Sequence, residues 1–168
     1  MTESLRIAIA EDEPIALQDL QESVMELGHQ VVTAVSDGQA LIDGCRETQP
    51  DLVITDIKMP GVDGLAAAMA IGNERPTPVI VVSAYHDPEF IERAEGDHVL
   101  AYLVKPLRDG SLATSISIAM RRWREFQALR EQAESLQQAM QERKLIERAK
   151  GILMRRGQLT EEVHLVYI

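Results

Sequence analysis

Four short apolar runs in this sequence each end in a residue able to do chemistry. Leu5–Ala10 runs into Glu11-Asp12-Glu13, Leu52–Thr55 into Asp56, Val79–Val82 into Ser83-Ala84, and Val99–Val104 into Lys105-Pro106. Brought to one crevice, these ends supply several carboxylates, one hydroxyl and one lysine. Clustered carboxylates repel unless a cation joins them. Oxygen-only ligands with room for water suit Mg²⁺. Mg²⁺, a lysine and a hydroxyl can clamp the three oxygens of a transferring phosphoryl group, and an aspartate carboxylate can itself be the nucleophile that accepts it. Any one of these acids alone is better read as a loop residue or helix cap. Complementary groups at four such ends point instead to phosphoryl transfer.

The elements that must position them are legible around the runs. Leu5–Ala10, Gln30–Val35, Leu52–Thr55, Val79–Ser83 and Val99–Val104 are too short for helices, rich in Val, Ile and Leu, and bordered by turn formers, which predicts five strands. Between them, Ile15–Leu27, Gln39–Thr48 and Leu65–Gly72 space apolar residues by three and four, the helical period. Asp37 and Asp63 stand where helix N-caps belong. Alternating strands and helices predict an α/β fold with a parallel sheet covered on both faces. In such a sheet, chemistry collects at the carboxyl ends of the strands.

Composition narrows the remaining classes. The 168 residues carry a formal charge of −10, unevenly spread: residues 1–118 hold 7 basic and 20 acidic side chains, residues 119–168 hold 10 and 7. An acidic body with a mildly basic tail suggests two parts with different partners, although from composition alone a solvated helix surface is the better reading of the tail. The single cysteine, Cys45, excludes an intramolecular disulfide framework and a cysteine zinc cage. There is no run of membrane-spanning length and no basic-then-apolar leader pattern, so a cytoplasmic location and no membrane partner are expected. The four histidines lack metal-ligand spacing, and the methionines read as core filler.

After the fifth strand the pattern becomes one long helix, free of proline from about Gly110 to Ala149. Phe126, Leu129, Ala133, Leu136 and Met140 follow the 3-4 spacing of a coiled-coil seam, bounded by Arg122 and Arg143. The seam predicts a homodimer contact, parallel or antiparallel; packing within one chain is the alternative. A basic amphipathic stretch, Arg143 to Gly157, follows.

Glu11-Asp12, Asp56-Ile57-Lys58-Met59-Pro60-Gly61, Ser83-Ala84 and Tyr102-Leu103-Val104-Lys105-Pro106 resemble, in order and spacing, the receiver domain of two-component response regulators. The resemblance spans roughly Leu5 to Ile118. It implies a doubly wound, flavodoxin-like five-stranded sheet in the order 2-1-3-4-5. It implies Asp56 as phosphoacceptor for a sensor histidine kinase. Glu11, Asp12, Asp56 and the Lys58 backbone carbonyl would hold Mg²⁺, and Lys105 would pair with the phosphoryl oxygens. Ser83 and Tyr102 would be the switch pair, and the Lys105–Pro106 bond would be cis. The family commonly has Asp where Glu11 stands. On this reading the chain is a signalling protein, its chemistry confined to Mg²⁺-dependent self-phosphorylation and dephosphorylation. Phosphatases with an Asp nucleophile usually place a second Asp two residues later, where this chain has Lys58.

Ile146-Glu147-Arg148-Ala149-Lys150-Gly151-Ile152-Leu153-Met154 and Gly157-Gln158-Leu159-Thr160-Glu161-Glu162 are similar to the opening of the ANTAR domain, an RNA-binding module of antitermination regulators. The resemblance implies hairpin RNA as a partner and Lys150, Arg155 and Arg156 as candidate contacts. The sequence then ends in Val163–Ile168, which departs from that pattern, so an incomplete helical output domain is expected. The expected division is a receiver over 1–118, a coiled-coil linker over 119–142 and the start of the output module over 143–168. A receiver acting through protein contacts alone, without RNA, is the alternative.

Overall fold

The structure, a computed structural model, describes residues 4–84, 99–107 and 110–157. Strands β1 (Arg6–Ala10), β2 (Gln30–Val35), β3 (Leu52–Asp56), β4 (Val79–Ser83) and β5 (Val99–Val104) form one sheet in the order β2-β1-β3-β4-β5. Every neighbouring pair is parallel. Helices α1 (Pro14–Glu26), α2 (Gly38–Thr48), α3 (Gly64–Glu74) and α4 (Ser111–Gly157) complete the described elements. This is the flavodoxin-like receiver fold.

The near-continuous apolar runs at β3 and β4 have the physical reason expected of them. Both strands are buried at every residue, because helices cover both sheet faces. Alternation along the strands feeds two separate cores. Ala8, Ala10, Val53, Val79 and Val81 pack with Leu41, Leu65 and Ile71 of α2 and α3. Ile7, Ile9, Leu52, Ile54, Ile80 and Val82 pack with Leu20 and Val24 of α1 and with Leu112, Ile116 and Ala119 at the start of α4. The edge strand β2 is only half-buried.

Both aspartate caps form as the sequence predicts. Asp37 accepts from the Ala40 N–H at 2.8 Å and Asp63 from the Ala66 N–H at 2.7 Å, each satisfying an amide that the first helical turn leaves orphaned. The methionines depart from their reading as filler. Met59 is buried, whereas Met25, Met69, Met140 and Met154 are exposed; they fall on solvent-facing stripes of α1, α3 and α4, where an unbranched thioether is a good helix former.

The chain divides into two units, Met1–Trp123 and Arg124–Ile168. In the second, α4 continues to Gly157, and the seam residues Leu129, Leu136 and Met140 are 66%, 61% and 63% exposed. The second ANTAR-like motif beyond Gly157, Gln158 to Glu162, lies outside the described residues. No helix among the described residues is long and apolar enough to cross a membrane.

Candidate functional site

Parallel register brings the four strand ends together. Ala10 pairs with Thr55, so Glu11 follows β1 at the level where Asp56 ends β3. Asp56 pairs with Val82, which sets Ser83 one step further along β4. Ser83 pairs with Val104, and Lys105 is the next residue of the chain. Backbone bonds carry the ladder past the strands: Glu11 N–H donates to Val35 O at 3.1 Å, Ile57 N–H to Val82 O at 3.2 Å, and Lys105 N–H to Ser83 O at 2.8 Å. Lys105–Pro106 is a cis peptide.

Glu11, Asp56 and Ser83 are buried and Asp12 is exposed at the rim. One oxygen from each of Glu11, Asp12 and Asp56 lies within 4.8 Å of the others. Oxygens octahedral about Mg²⁺ stand roughly 3–4 Å apart, so small side-chain adjustments fit the three acids to a hard divalent cation. The donor set is all oxygen, which agrees with that choice. Among the described residues, nothing softer than a carboxylate belongs to the cluster.

The Asp56 carboxylate is held at both oxygens. Oδ1 accepts from the Lys58 N–H at 3.1 Å and Oδ2 from Lys105 Nζ at 2.6 Å. Lys105 Nζ also reaches Glu11 Oε2 at 2.5 Å, while Glu11 Oε1 accepts from the Glu13 N–H at 3.3 Å. Burial would push the Lys105 ammonium down, but its bonds to Asp56 and Glu11 outweigh burial and hold it above its ordinary value. Glu11 is raised, first by burial and further by the Asp56 charge, against the opposing pull of Lys105.

Of the residues the sequence singles out, the structure gathers Glu11, Asp12, Asp56, Ser83 and Lys105 at one end of the sheet. Tyr102 lies half-buried on the α2–α3 side of β5, on the opposite face from Leu103. Lys150 and Arg155 sit on α4 in the second unit, Lys150 half-buried and Arg155 exposed. The Arg156 side chain lies outside the described residues, as do His86, His98 and His164. The Lys105–Glu11 contact was not legible, because the sequence places both in one crevice without showing which carboxylates the lysine reaches. Two further residues that touch the Asp56 backbone also escaped the sequence reading, Thr55 and Gly64. A signal for Gly64 was present in the recurrence Asp37-Gly38 and Asp63-Gly64, a cap followed by glycine at both helix starts; Thr55 carried none.

A five-stranded receiver sheet with an acidic cluster beside a lysine defines a class, and comparison with known proteins agrees. The chain belongs to the response regulator receiver domain family, which it matches over residues 7–117, and it matches the ANTAR domain over residues 134–163. It is similar to the transcriptional regulatory protein PdtaR of Mycobacterium tuberculosis, at 40% identity over 156 residues, covering 93% of this chain and 76% of that protein. It is also similar to the positive alginate biosynthesis regulatory protein of Pseudomonas aeruginosa, at 34% identity over 70% of this chain and 48% of the relative. Among solved structures, a response regulator receiver domain protein from Clostridium thermocellum superposes with a TM-score of 0.65 at 27% identity, covering 72% of this chain and 98% of that one. The receiver domain of a modulated diguanylate cyclase from Desulfovibrio desulfuricans does so with a TM-score of 0.66 at 26% identity, covering 71% and 96%. Receiver followed by ANTAR is the organisation of a two-component response regulator with an antitermination output, a signalling protein.

Proposed function

We propose that Asp56 is the phosphoacceptor, taking its phosphoryl group from a phosphohistidine of a sensor histidine kinase. The observation that carries this is the two-sided grip on its carboxylate by the Lys58 N–H and Lys105 Nζ. Glu11, Asp12, Asp56 and the Lys58 backbone carbonyl are the residues that would hold Mg²⁺, which when bound neutralises charge on the phosphoryl oxygens. An Asp56 oxygen attacks phosphorus, the P–N bond breaks, and its electron pair leaves with the imidazole. The product is an acyl phosphate on Asp56. Lys105 exchanges its carboxylate contact for a phosphoryl oxygen, and the Ser83 hydroxyl donates to another. The Tyr102 ring turns into the space Ser83 vacates. Hydrolysis of the acyl phosphate resets the protein, and the chain turns over no external substrate.

Downstream, residues 1–118 are the receiver, 119–142 the coiled-coil linker and 143–168 the start of the output module. Phosphorylation favours a homodimer through Phe126, Leu129, Ala133, Leu136 and Met140. The exposure of that apolar seam supports this, since a partner helix would remove it from water. Lys150, Arg155 and Arg156 contact the phosphates of a hairpin RNA, with the salt sensitivity such contacts bring.

Two measurements test the reading. Asp56→Asn abolishes label uptake from acetyl phosphate in the presence of Mg²⁺, and undiminished labelling of that variant sinks the assignment. Phosphorylated protein shifts hairpin RNA in a gel at low salt. Absence of any shift favours the second reading, a receiver signalling through protein contacts alone.

A further inference from the structure

We infer that Thr55 and Gly64 are positioning residues that clamp the Asp56 peptide and thereby aim the phosphoacceptor. The inference rests on Asp56 being that acceptor. Thr55 is fully buried on β3, and its Oγ1 hydroxyl donates to the Asp56 carbonyl oxygen at 3.0 Å. Gly64 opens α3 behind the Asp63 cap, and its N–H donates to the Ile57 carbonyl at 2.9 Å. A Cβ on Gly64 would run into the Asp56 carbonyl oxygen and stand 2.9 Å from Thr55 Oγ1. Gly64 is not among the glycines of positive φ, so the position demands space and not an unusual backbone.

The Asp56 carbonyl is therefore caught between a hydroxyl and a helix start, and the next carbonyl is tied to the same helix. Two successive peptides are fixed. The residue after them, Lys58, supplies the N–H that holds Asp56 Oδ1 and the carbonyl proposed for the metal. Loosening the clamp rotates both at once.

The molecule carries its own control. Gly38 opens α2 behind Asp37 in the same way, and a Cβ there would meet the Val62 carbonyl. It grips the same β3–α3 loop without touching Asp56. A merely structural role predicts equal consequences for the two glycines; a positioning role does not.

The test uses the full chain and four variants: Thr55→Val, Thr55→Ser, Gly64→Ala and Gly38→Ala. Amide hydrogen exchange of the metal-free protein reads the loop, calorimetric titration reads Mg²⁺ affinity, and acetyl phosphate reads label uptake. Thr55→Val keeps the shape and removes the donor. It speeds exchange at Lys58 and Gly64 and weakens Mg²⁺ binding by about threefold or more, the effect of losing one hydrogen bond. Thr55→Ser restores both to within about twofold. Gly64→Ala weakens Mg²⁺ binding more than Gly38→Ala does. Wild-type exchange and Mg²⁺ affinity in Thr55→Val overturn the inference, as do equal losses in the two glycine variants. Where an alanine variant does not fold, the Thr55 pair decides. Wild-type protein that binds Mg²⁺ but takes no label overturns the phosphoacceptor reading itself, before any variant is compared.

Discussion

Replacing Lys105 with Met removes the ammonium that touches both Glu11 and Asp56, at 2.5 and 2.6 Å, and leaves an apolar stem of similar length. The two carboxylates are then buried without that partner, their side chains 3% and 10% exposed. Truncating one partner of a buried ion pair costs about 3–5 kcal/mol. The lower end applies here, because the Lys105 side chain keeps 24% of its surface in water, which screens its attraction to the two acids. The loss depends on pH in a defined direction. Glu11 already lies above its ordinary value because of burial, and Lys105 pulls it down. Without Lys105 it rises further. An acid whose folded value is raised favours the folded state below its unfolded value, near 4.5, and loses that contribution as pH climbs through the folded value. The variant therefore matches the wild type most nearly at acid pH, where Glu11 is protonated, and shows the full deficit above the raised Glu11 value. Mg²⁺ replaces the missing positive charge and narrows the gap at neutral pH. Urea titrations of both proteins at pH 5 and pH 8, with and without Mg²⁺, read all three effects. A deficit that ignores both pH and Mg²⁺ refutes the electrostatic account and leaves lost packing as the cause.

Other perturbations test separate parts of the molecule. Leu41→Ala empties a fully buried position in the α2–α3 core and costs about 2–5 kcal/mol in urea, the cavity range; a loss below 1 kcal/mol would show that α2 collapses freely onto the sheet. Cys45 is buried and its thiol is pushed up to about 11 by that burial, so iodoacetamide at pH 8 spares it in the native protein and modifies it in urea. Rapid native labelling would show that the core opens there. His29 accepts the Leu5 N–H at 3.3 Å and burial holds it below 6.5, so its neutral form belongs to the fold. Its contribution is complete above 6.5 and lost as pH falls through the folded value; wild type should lose stability relative to His29→Gln between pH 7 and 5, and parallel curves would remove His29 from that role.

The strand ends were legible because each puts a polar residue directly after a buried apolar run, a contrast that survives in one dimension. Glu11, Asp56, Ser83 and Lys105 could be read off in order, and parallel register does the rest. What stayed hidden depends on distances that only folding creates. The sequence brings Lys105 and Glu11 to one end of the sheet but does not show that one ammonium bridges Glu11 and Asp56 together. Thr55 reads as one more β-branched strand residue, and nothing in its neighbours shows that its hydroxyl is spent on the Asp56 carbonyl. Gly64 reads as the residue after a cap, whereas its absent side chain is what admits α3 so close to β3. The methionines misled because a flexible apolar side chain is tolerated on a solvated helix face as readily as in a core.

The sheet also partitions the protein as something inherited. The first turns of α4 root in the α1-side core through Leu112, Ile116 and Ala119, while α2 and α3 close the other side around Leu41, Ile57 and Leu65. Among the described residues the two cores are built from different side chains, so substitutions in one are expected to add to substitutions in the other. Exchange of whatever follows α4's root is therefore expected to fall chiefly on the α1-side core, with Tyr102 the contact across the sheet.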